Sequence, residues 1–330
     1  MHTFIIAEAG ANHNRDIGNA YKLIEAAKDA GADAVKFQTY SSETLYSKNT
    51  PSFAGYEDIN QLIKNIELPR EWQQKLKHYC DKVGIEFMST PFDEQAIKEL
   101  VDIGVKRIKV AGFESTDLRF LTKVFSTGLP VILSSGINSN RESRRNVIRI
   151  YESSPCQDLT LLHCNNAYPT PVEDTNLLTI PKIKEELNIK VGLSDHTEST
   201  LTPSLAVMLG AEVIEKHFTL DKKMPGPDHP FALEPHELKE MVKNIRFAEK
   251  TLSVRNGDYT SSELKFKNAG RSIVASTNLV KGEVLTEKNI TTKRPFLEGN
   301  IHASEYYNYL GKTVNVNVEE DMALKFEDIF

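Results

Sequence analysis

Residues 4–39 read FIIAEAGANHNRDIGNAYKLIEAAKDAGADAVKFQT and contain an apolar strand, a helix that ends near Gly31, and a second apolar strand. The same alternation continues along the chain, where helix-like stretches end near Gly or Asn and short apolar strands follow. Alternating strands and helices favour a parallel sheet, and eight such units fit a closed (β/α)8 TIM barrel. The eight predicted strands are FIIAE (4–8), AVKFQ (34–38), IEFMS (85–89), RIKVA (107–111), PVILS (130–134), LTLLHC (159–164), IKVGLS (189–194) and EVIEKHF (212–218).

Polar and ionisable residues lie where these predicted strands end. The active site of a TIM barrel lies at the carboxyl ends of its strands, so these side chains are expected to meet at one mouth. The pattern therefore favours an enzyme. The residues at or just beyond the strand ends are Glu8, Lys36, Ser89, Lys109, Ser134, His163, His196 and His217.

Composition excludes several classes of protein. The chain has 330 residues, a hydrophobic content of 40% and a net charge of −6, so nothing in its charge favours binding to nucleic acid. No run approaches the roughly 18 apolar residues of a membrane span, and a strand that starts by Thr3 leaves no room for a signal peptide. Cys80, Cys156 and Cys164 form no CxxC pair. We therefore expect a cytoplasmic protein that binds neither nucleic acid nor membrane.

The chain is predicted to have two domains. A barrel over residues 1–252 is followed by a polar linker at 253–268 and a small domain at 269–330. In the small domain, LVKGEVLTEKNI (279–290) and VEEDMALKFEDI (318–329) resemble each other. A module of about 60 residues is marginal alone, so we expect it to dock on its own barrel or on that of a partner subunit.

One connection is unusually long. The chain runs from Thr39 to Asn65 before the next clear helix in the sequence. Loops longer than about 15 residues are uncommon and often serve as lids. Because this segment follows the end of a strand, we expect it to overhang the site, although a surface insertion would give the same pattern.

Two lysines end strands within apolar runs. An unpaired buried ammonium group is costly, so Lys36 and Lys109 are unlike ordinary packing residues. With Ser134, Asn166 and Ser194 at other strand ends, they form a suitable cradle for a phosphate or a carboxylate. A Schiff-base lysine of a carbonyl-processing enzyme and a lysine in a structural ion pair are the alternatives.

Two histidines end the last two strands. Neighbouring strands lie roughly 5 Å apart, so the imidazoles of His196 and His217 could share one metal ion. Two protein ligands leave coordination positions open for water and substrate, which suits catalytic Mn²⁺ and also Zn²⁺. The carboxylates Glu8, Glu114 and Asp228 could move protons, bind sugar hydroxyls or pair with the lysines, and their spacing does not choose between these roles.

Taken together, these segments resemble the sialic acid synthase family, which condenses phosphoenolpyruvate with N-acylated hexosamines. The family includes N-acetylneuraminate, legionaminate and pseudaminate synthases and synthases that act in spore-coat polysaccharide formation. The C-terminal region resembles the antifreeze-like (SAF, β-clip) domain of these enzymes. The motifs that carry the resemblance are IIAEAGANHN (5–14), GADAVKFQT (31–39), FMSTPFD (87–93), ILSSG (132–136), LLHCNNAYPTP (161–171), GLSDHT (192–197), EKHFTLDKKMPGPDHPFAL (215–233) and KRP (293–295).

The resemblance implies a metal-dependent reaction in a domain-swapped homodimer, with Mn²⁺ as the first candidate metal and Mg²⁺ or Co²⁺ as alternatives. Carbon 3 of phosphoenolpyruvate attacks the sugar aldehyde, water adds at carbon 2, and phosphate leaves by C–O cleavage. Glu8, Glu114 and Lys109 are the candidate catalytic residues, and Glu114 is the candidate for directing the water. The remaining matched residues are Lys36, Lys109, Ser134, Asn166 and Ser194 for phosphoenolpyruvate, His196 and His217 for the metal, and Gln38, Tyr168, Asp228 and Arg294 for the acceptor sugar.

Two departures from the family pattern concern the substrate. Sialic acid synthases usually have a serine where this chain has Gly112, and Phe113 adds bulk after it. A version with a small residue, serine, an aromatic residue and glutamate is more typical of pseudaminic acid and spore-coat synthases. Phe296 replaces the glycine that usually follows KRP, whereas the EAGANHN and PGPDHPF segments favour the sialic and legionaminic branch. We expect N-acetylmannosamine as the acceptor, with a 6-deoxy-di-N-acetylhexosamine as the alternative. The alternative functions from other classes are a Schiff-base aldolase and a non-catalytic carbohydrate-binding protein.

Overall fold

The computed structural model describes residues 2–52, 55–137 and 139–330. Residues up to Leu252 form one compact unit, and Ser253–Phe330 form a second. Within the described residues, no helix is both long enough and apolar enough to span a bilayer.

The first unit is a parallel sheet of eight strands surrounded by helices. Its strand order is β3-β2-β1-β8-β7-β6-β5-β4, and β3 and β4 pack side by side, which brings the two edges together. The predicted (β/α)8 fold is thus confirmed. The strands are β1 Phe4–Gly10, β2 Ala34–Thr39, β3 Glu86–Pro91, β4 Ile108–Val110, β5 Val131–Ser135, β6 Leu159–Cys164, β7 Lys190–Asp195 and β8 Val213–His217.

Helices fill the connections between these strands. The side chain of Asp16 caps the first helix by accepting hydrogen bonds from the amides of Gly18 and Asn19, and Gly31 ends that helix at a φ of 87°. Pro235 occupies the first turn of the last helix, where a missing N–H does no harm. The helices are α1 Ile17–Ala30, α2 Ile59–Ile66, α3 Gln73–Val83, α4 Glu94–Asp102, α5 Leu118–Phe125, α6 Arg141–Glu152, α7 Thr179–Leu187, α8 Thr202–Met208 and α9 Pro235–Thr251.

Alternate residues of each strand face opposite sides of the sheet. One set of apolar side chains packs among the helices, and Ile5, Val35 and Ile214 belong to it. The other set forms a small separate cluster inside the barrel. This inner cluster consists of Ile6, Ala34, Met88, Ile132, Leu162 and Val213.

The long connection after β2 is shorter than the sequence suggested, because α2 already begins at Ile59. Ile59 and Ile63 recur at helical spacing and pack on Tyr40, which gives this segment a small core of its own. The side chain of Asp58 caps the helix. Phe53 and Ala54, which fall inside the predicted lid, lie outside the described residues.

The second unit has a separate apolar core around two antiparallel strands, β9 (Ser272–Ala275) and β10 (Ile290–Lys293). A short helix, α10 (Tyr306–Tyr309), follows. The two similar sequence elements supply equivalent core residues, and Leu279 of the first pairs with Val318 of the second in an antiparallel bridge. The core residues at equivalent positions are Leu279, Leu285 and Ile290 in one element, and Val318, Leu324 and Ile329 in the other.

Candidate active site

Register brings polar side chains together at the carboxyl end of the barrel. Glu8 of β1 stands opposite Lys36 on one side and opposite His217 on the other, and Ser194 of β7 stands opposite Glu215 of β8. Residues paired in parallel strands point to the same face, so these side chains enter the barrel together. They lie one layer above the inner apolar cluster, which closes the barrel beneath them.

The side chain of Lys36, on β2, contacts residues of both neighbouring strands, β1 and β3. Its Nζ lies 2.7 Å from Glu8 Oε2 and donates to Thr90 Oγ1 at 2.9 Å. The second carboxylate oxygen of Glu8, Oε1, accepts from Gln38 Nε2 at 2.7 Å. Both Glu8 and Lys36 are almost completely buried. The catalytic and sugar-binding candidates Glu8 and Gln38 are therefore held by one another and by Lys36.

Lys109 lies on the other side of the barrel. Its Nζ donates to Ser134 Oγ at 2.8 Å and to the carbonyl oxygen of Val110 at 2.9 Å. Cys164 adjoins the same group, and burial raises the pKa of its thiol to about 11, so that it stays protonated there. Lys109 and Ser134, two of the predicted phosphoenolpyruvate-binding residues, are thus in direct contact.

Glu215 is a functional candidate that sequence reasoning missed. Its Oε1 lies 3.8 Å from Lys36 Nζ and 3.5 Å from Lys109 Nζ, and it accepts from Ser194 Oγ at 3.4 Å. Its Oε2 is buried and has no hydrogen-bond partner among the described residues. The signal was present in the sequence, because Glu215 precedes His217 by two residues on one strand and must share its face.

Burial and these contacts shift the pKa values of the two carboxyl groups, Glu8 and Glu215, in opposite directions. Burial raises the pKa of Glu8, Lys36 opposes this effect, and the nearby Glu215 adds to it. Although burial also acts on Glu215, Lys109 and Lys36 hold its pKa below the ordinary value. Glu8 therefore keeps a proton to higher pH than an ordinary carboxyl does, while Glu215 is the ionised partner of the two lysines.

The two histidines meet beside Glu8. The ring centroids of His196 and His217 are 5.4 Å apart. His196 Nδ1 lies 2.6 Å from the carbonyl oxygen of Asn165, to which it donates, so Nε2 is left as the acceptor nitrogen. In the described part of the chain, the buried His217 Nδ1 has no hydrogen-bond partner, and it lies 3.8 Å from Asp228 Oδ2.

This arrangement fits a metal ion with only two protein ligands. Burial lowers the pKa of His196 to about 3 and also lowers that of His217, so both imidazoles are neutral, as metal ligands must be. An orphaned buried ring nitrogen at His217 is a further sign of a missing ligand. Among the described residues, no group of three or more His, Cys, Asp or Glu side chains could bind a metal, so water or substrate must supply the other donors.

Glu114 stands just beyond β4, in a single helical turn at Gly112–Glu114. Burial raises the pKa of its carboxyl to about 7, although Lys109 opposes the effect. Tyr46 of the connection after β2 lies near enough for the Glu114 charge to contribute, after burial, to a raised pKa of the phenol. The long connection therefore reaches the mouth of the barrel, and Glu114 can exchange a proton near neutral pH.

Three of the four candidate sugar-binding residues lie at this mouth. Tyr168 stacks on His196 with ring centroids 4.2 Å apart and is 44% exposed. Asp228 accepts from the amide of Ala11 at 3.5 Å and faces His217. Gln38 contacts Glu8, as described above. Arg294, the fourth, is an exposed residue that follows β10 in the second unit.

Gly112, which stands where the family usually has serine, lies in a tight space. A Cβ atom there would lie 3.1 Å from Asn166 Nδ2 and 3.1 Å from the Cα of Gly136. Asn166 Oδ1 accepts from the amide of Ile137 at 2.7 Å, which fixes its side chain over both glycines. In this chain the position of Asn166 therefore depends on the absence of a side chain at both Gly112 and Gly136.

Comparison with known proteins agrees with this geometry. The family model described as the NeuB family matches residues 23–256, and the SAF domain model matches residues 270–329. The chain belongs to the NeuB family. The C-terminal domain predicted from the resemblance is accordingly a SAF domain.

Individual relatives cover nearly the whole chain. An uncharacterised protein of Methanocaldococcus jannaschii is 43% identical over 99% of this chain and 94% of its own length. The N,N'-diacetyllegionaminic acid synthase of Legionella pneumophila is 40% identical over 100% of this chain and 95% of its own. Among solved structures, the sialic acid synthetase of Leptospira borgpetersenii in complex with citrate is 34% identical, with a TM-score of 0.73 over 81% of this chain and 90% of its own.

Gly136→Ala tests how Asn166 is positioned. The new Cβ would lie 2.2 Å from Asn166 Oδ1 and 2.8 Å from the Cα of Gly112, so the amide must move away from the cradle. If Asn166 binds phosphoenolpyruvate, as the resemblance implies, loss of that hydrogen bond should raise the Kd roughly 5- to 10-fold in a calorimetric titration. Gly104→Ala is the control for a strained backbone, because its φ of 75° disfavours alanine while nothing lies within 4 Å of its Cβ. An unchanged Kd in folded Gly136→Ala would show that Asn166 does not contact the ligand.

Proposed function

We propose that this NeuB-family protein condenses phosphoenolpyruvate with an N-acylated hexosamine to give a nonulosonic acid and inorganic phosphate. The observation that carries the proposal is the pair of buried lysines, Lys36 and Lys109, beside two neutral histidines at the mouth of a barrel. Two fixed cations at a water-poor site suit a substrate that carries both a phosphate and a carboxylate. The relatives named as legionaminic and sialic acid synthases support the same reaction.

Phosphoenolpyruvate is assigned to the cradle around Lys109. Lys36 and Lys109 supply the positive charge, and Ser134, Asn166 and Ser194 supply hydrogen bonds that fix the orientation. The pKa of Glu215 is held below its ordinary value by both lysines, whereas that of Glu8 is raised by burial, so Glu215 is the main counter-charge of the two lysines in the absence of ligand. The charges of the two lysines also stabilise the phosphate as it leaves.

His196 and His217 would hold the metal, for which Mn²⁺ is our first choice and Mg²⁺ or Co²⁺ the alternatives. When bound, such an ion polarises the aldehyde of the open-chain sugar as a Lewis acid. Glu8 lies beside His217 in the register, and its raised pKa suits it to donate a proton to the aldehyde oxygen as the new C–C bond forms. Gln38 fixes the Glu8 carboxyl for this step.

Glu114 is assigned to the second half of the reaction. After C–C bond formation, carbon 2 carries the positive charge of an oxocarbenium ion. Water adds to this carbon, its proton passes to the Glu114 carboxylate, and the bond between carbon 2 and the phosphate oxygen then breaks. A carboxyl with a pKa of about 7 is suited to accept this proton near neutral pH.

The sugar is assigned to Gln38, Tyr168 and Asp228, and to Arg294 from a partner subunit in a domain-swapped homodimer. The identity of 40% with a legionaminic acid synthase over the whole chain supports a 6-deoxy-di-N-acetylhexosamine as well as N-acetylmannosamine. Both sugars therefore belong in the first assay. The cytoplasmic location stays a prediction.

The reaction can be tested with purified protein, phosphoenolpyruvate, Mn²⁺ and a panel of N-acylated hexosamines that includes both candidates. We expect sugar-dependent release of phosphate that EDTA abolishes, and oxygen-18 placed in the bridging position of phosphoenolpyruvate should appear in the phosphate. Lys109→Ala and His217→Ala should each lose at least 100-fold in kcat, since they remove a charge stabiliser and a metal ligand. Full activity in EDTA, together with an adduct trapped by borohydride, would instead identify a Schiff-base aldolase.

The pH profile tests Glu114. Because its pKa is raised to about 7 and it must be ionised to accept a proton, kcat should rise with pH up to that value and then level off. Glu114→Gln should lose roughly 100- to 10,000-fold in kcat and should lose this acidic limb. If the residual kcat of Glu114→Gln still rises with pH up to about 7, the acidic limb of the profile belongs to another group.

Mixing two inactive variants tests the domain swap. Lys109→Ala damages the barrel site, and Arg294→Ala damages the second unit, so each homodimer should be inactive. If the second unit acts on the partner's barrel, random heterodimers contain one intact site each, and mixing should restore about a quarter of wild-type activity. No restoration after verified subunit exchange would mean that each barrel uses its own Arg294 or none.

A further inference from the structure

Lys216 is a buried cation that the proposed reaction does not use. It lies between Glu215 and His217 on β8, so its side chain points to the opposite face, among the helices. It is only 1% exposed. A buried ammonium group is costly unless it is fully paired, so the groups that surround it matter.

Its partners all belong to the end of β7 and the turn after it. Lys216 Nζ donates to Asp195 Oδ2 at 2.7 Å, to Thr197 Oγ1 at 3.2 Å and to the carbonyl oxygen of Thr197. Asp195 closes the same turn from within, because its Oδ1 accepts from the amide of Thr197 at 3.0 Å. These contacts fix the residues immediately before and after His196.

The imidazole of His196 is fixed from the other side. Its Nδ1 donates to the carbonyl oxygen of Asn165, and its own carbonyl oxygen accepts from the amide of Thr170 at 2.9 Å. His217, the second candidate ligand, is the next residue after Lys216 on β8. Lys216 therefore links the backbone segments that carry both histidines.

Packing alone does not account for this ion pair. Replacing a buried ion pair with apolar side chains of similar volume is often neutral or stabilising, so an interior that needed only stability would not require it. What an ion pair adds is a fixed geometry, since a charge buried without its partner is strongly disfavoured. The turn after β7 is thereby held in one conformation.

We propose that Lys216 and Asp195 form a clamp that positions His196 relative to His217 for metal binding. The proposal rests on the function assigned above and adds two positioning residues to it. Groups that orient metal ligands typically contribute 10- to 100-fold to metal affinity. The clamp should therefore affect metal binding most, because Lys36, Lys109 and Ser134 of the phosphoenolpyruvate cradle lie on β2, β4 and β5, and only Ser194 of the cradle adjoins the clamp on β7.

The test compares two ion pairs of similar composition at different places in the barrel. Lys216→Met/Asp195→Asn removes both charges of the clamp and so avoids a buried unpaired charge. Arg246→Met is the matched control: Arg246 Nη2 contacts Asp33 Oδ2 at 2.8 Å, and its Nη1 donates to the carbonyl oxygen of Thr3 at 2.8 Å, before β1 and β2 begin. Free Mn²⁺ is followed by electron paramagnetic resonance, phosphoenolpyruvate binding in EDTA by calorimetry, and Tm by circular dichroism.

We expect the double variant to bind Mn²⁺ roughly 10- to 100-fold more weakly, with a Kd for phosphoenolpyruvate within about threefold of wild type. Arg246→Met should change neither affinity, even if its Tm falls further. Unchanged Mn²⁺ affinity in the folded double variant would overturn the clamp but not the proposed function. Equal losses of affinity for Mn²⁺ and for phosphoenolpyruvate in both variants would also overturn the clamp. If the unaltered protein binds neither Mn²⁺ nor phosphoenolpyruvate, the proposed function fails, and the clamp fails with it.

Discussion

Four charged groups buried inside the barrel impose the constraint on which the rest of the site depends. Salt bridges link these groups in the order Glu8, Lys36, Glu215 and Lys109, almost without contact with water. Such groups are stable only when each is paired in a fixed geometry, because a lost partner leaves an uncompensated charge in a medium of low polarity. Eight parallel strands meet this requirement, since they deliver side chains from different parts of the sequence to one rigid layer.

The same burial acts in opposite directions on different groups, and both effects serve the proposed reaction. Burial lowers the pKa of His196 and His217, which keeps them neutral as metal ligands require. It raises the pKa of Glu8, and it raises that of Glu114 to about 7, so that Glu114 can exchange a proton near neutral pH. The pKa of Glu215 is instead held below its ordinary value, because both lysines adjoin it. A single physical cause, the removal of water, thus prepares a metal site and a proton-transfer site side by side.

The sequence predicted what depends on local pattern, and missed what depends on register and packing. The glycine-strand alternation placed His217 at the end of its strand correctly, and it placed Lys36 and Lys109 on the right strands, although β2 continues to Thr39 and β4 to Val110. Glu215 was missed, although its spacing from His217 indicates a shared face, because its role depends on Lys36 of β2 and Lys109 of β4, which lie beside it only in the closed barrel. The start of α2 at Ile59 was missed because its apolar face becomes evident only against Tyr40.

The glycine at position 112 illustrates how one substitution is coupled to its surroundings. A serine there is expected to add a hydroxyl to the phosphate cradle, but the Cβ it requires would lie 3.1 Å from both the Asn166 amide and the Cα of Gly136. Asn166 is in turn fixed by the Ile137 amide, so it cannot retreat without losing a hydrogen bond. A hydroxyl at position 112 would therefore compete with the amide of Asn166 for the same space. In this chain the amide of Asn166 occupies that space. The hydrogen-bond donors of the proposed cradle therefore include this amide and no hydroxyl at position 112, whereas the positive charge of Lys36 and Lys109 is unaffected.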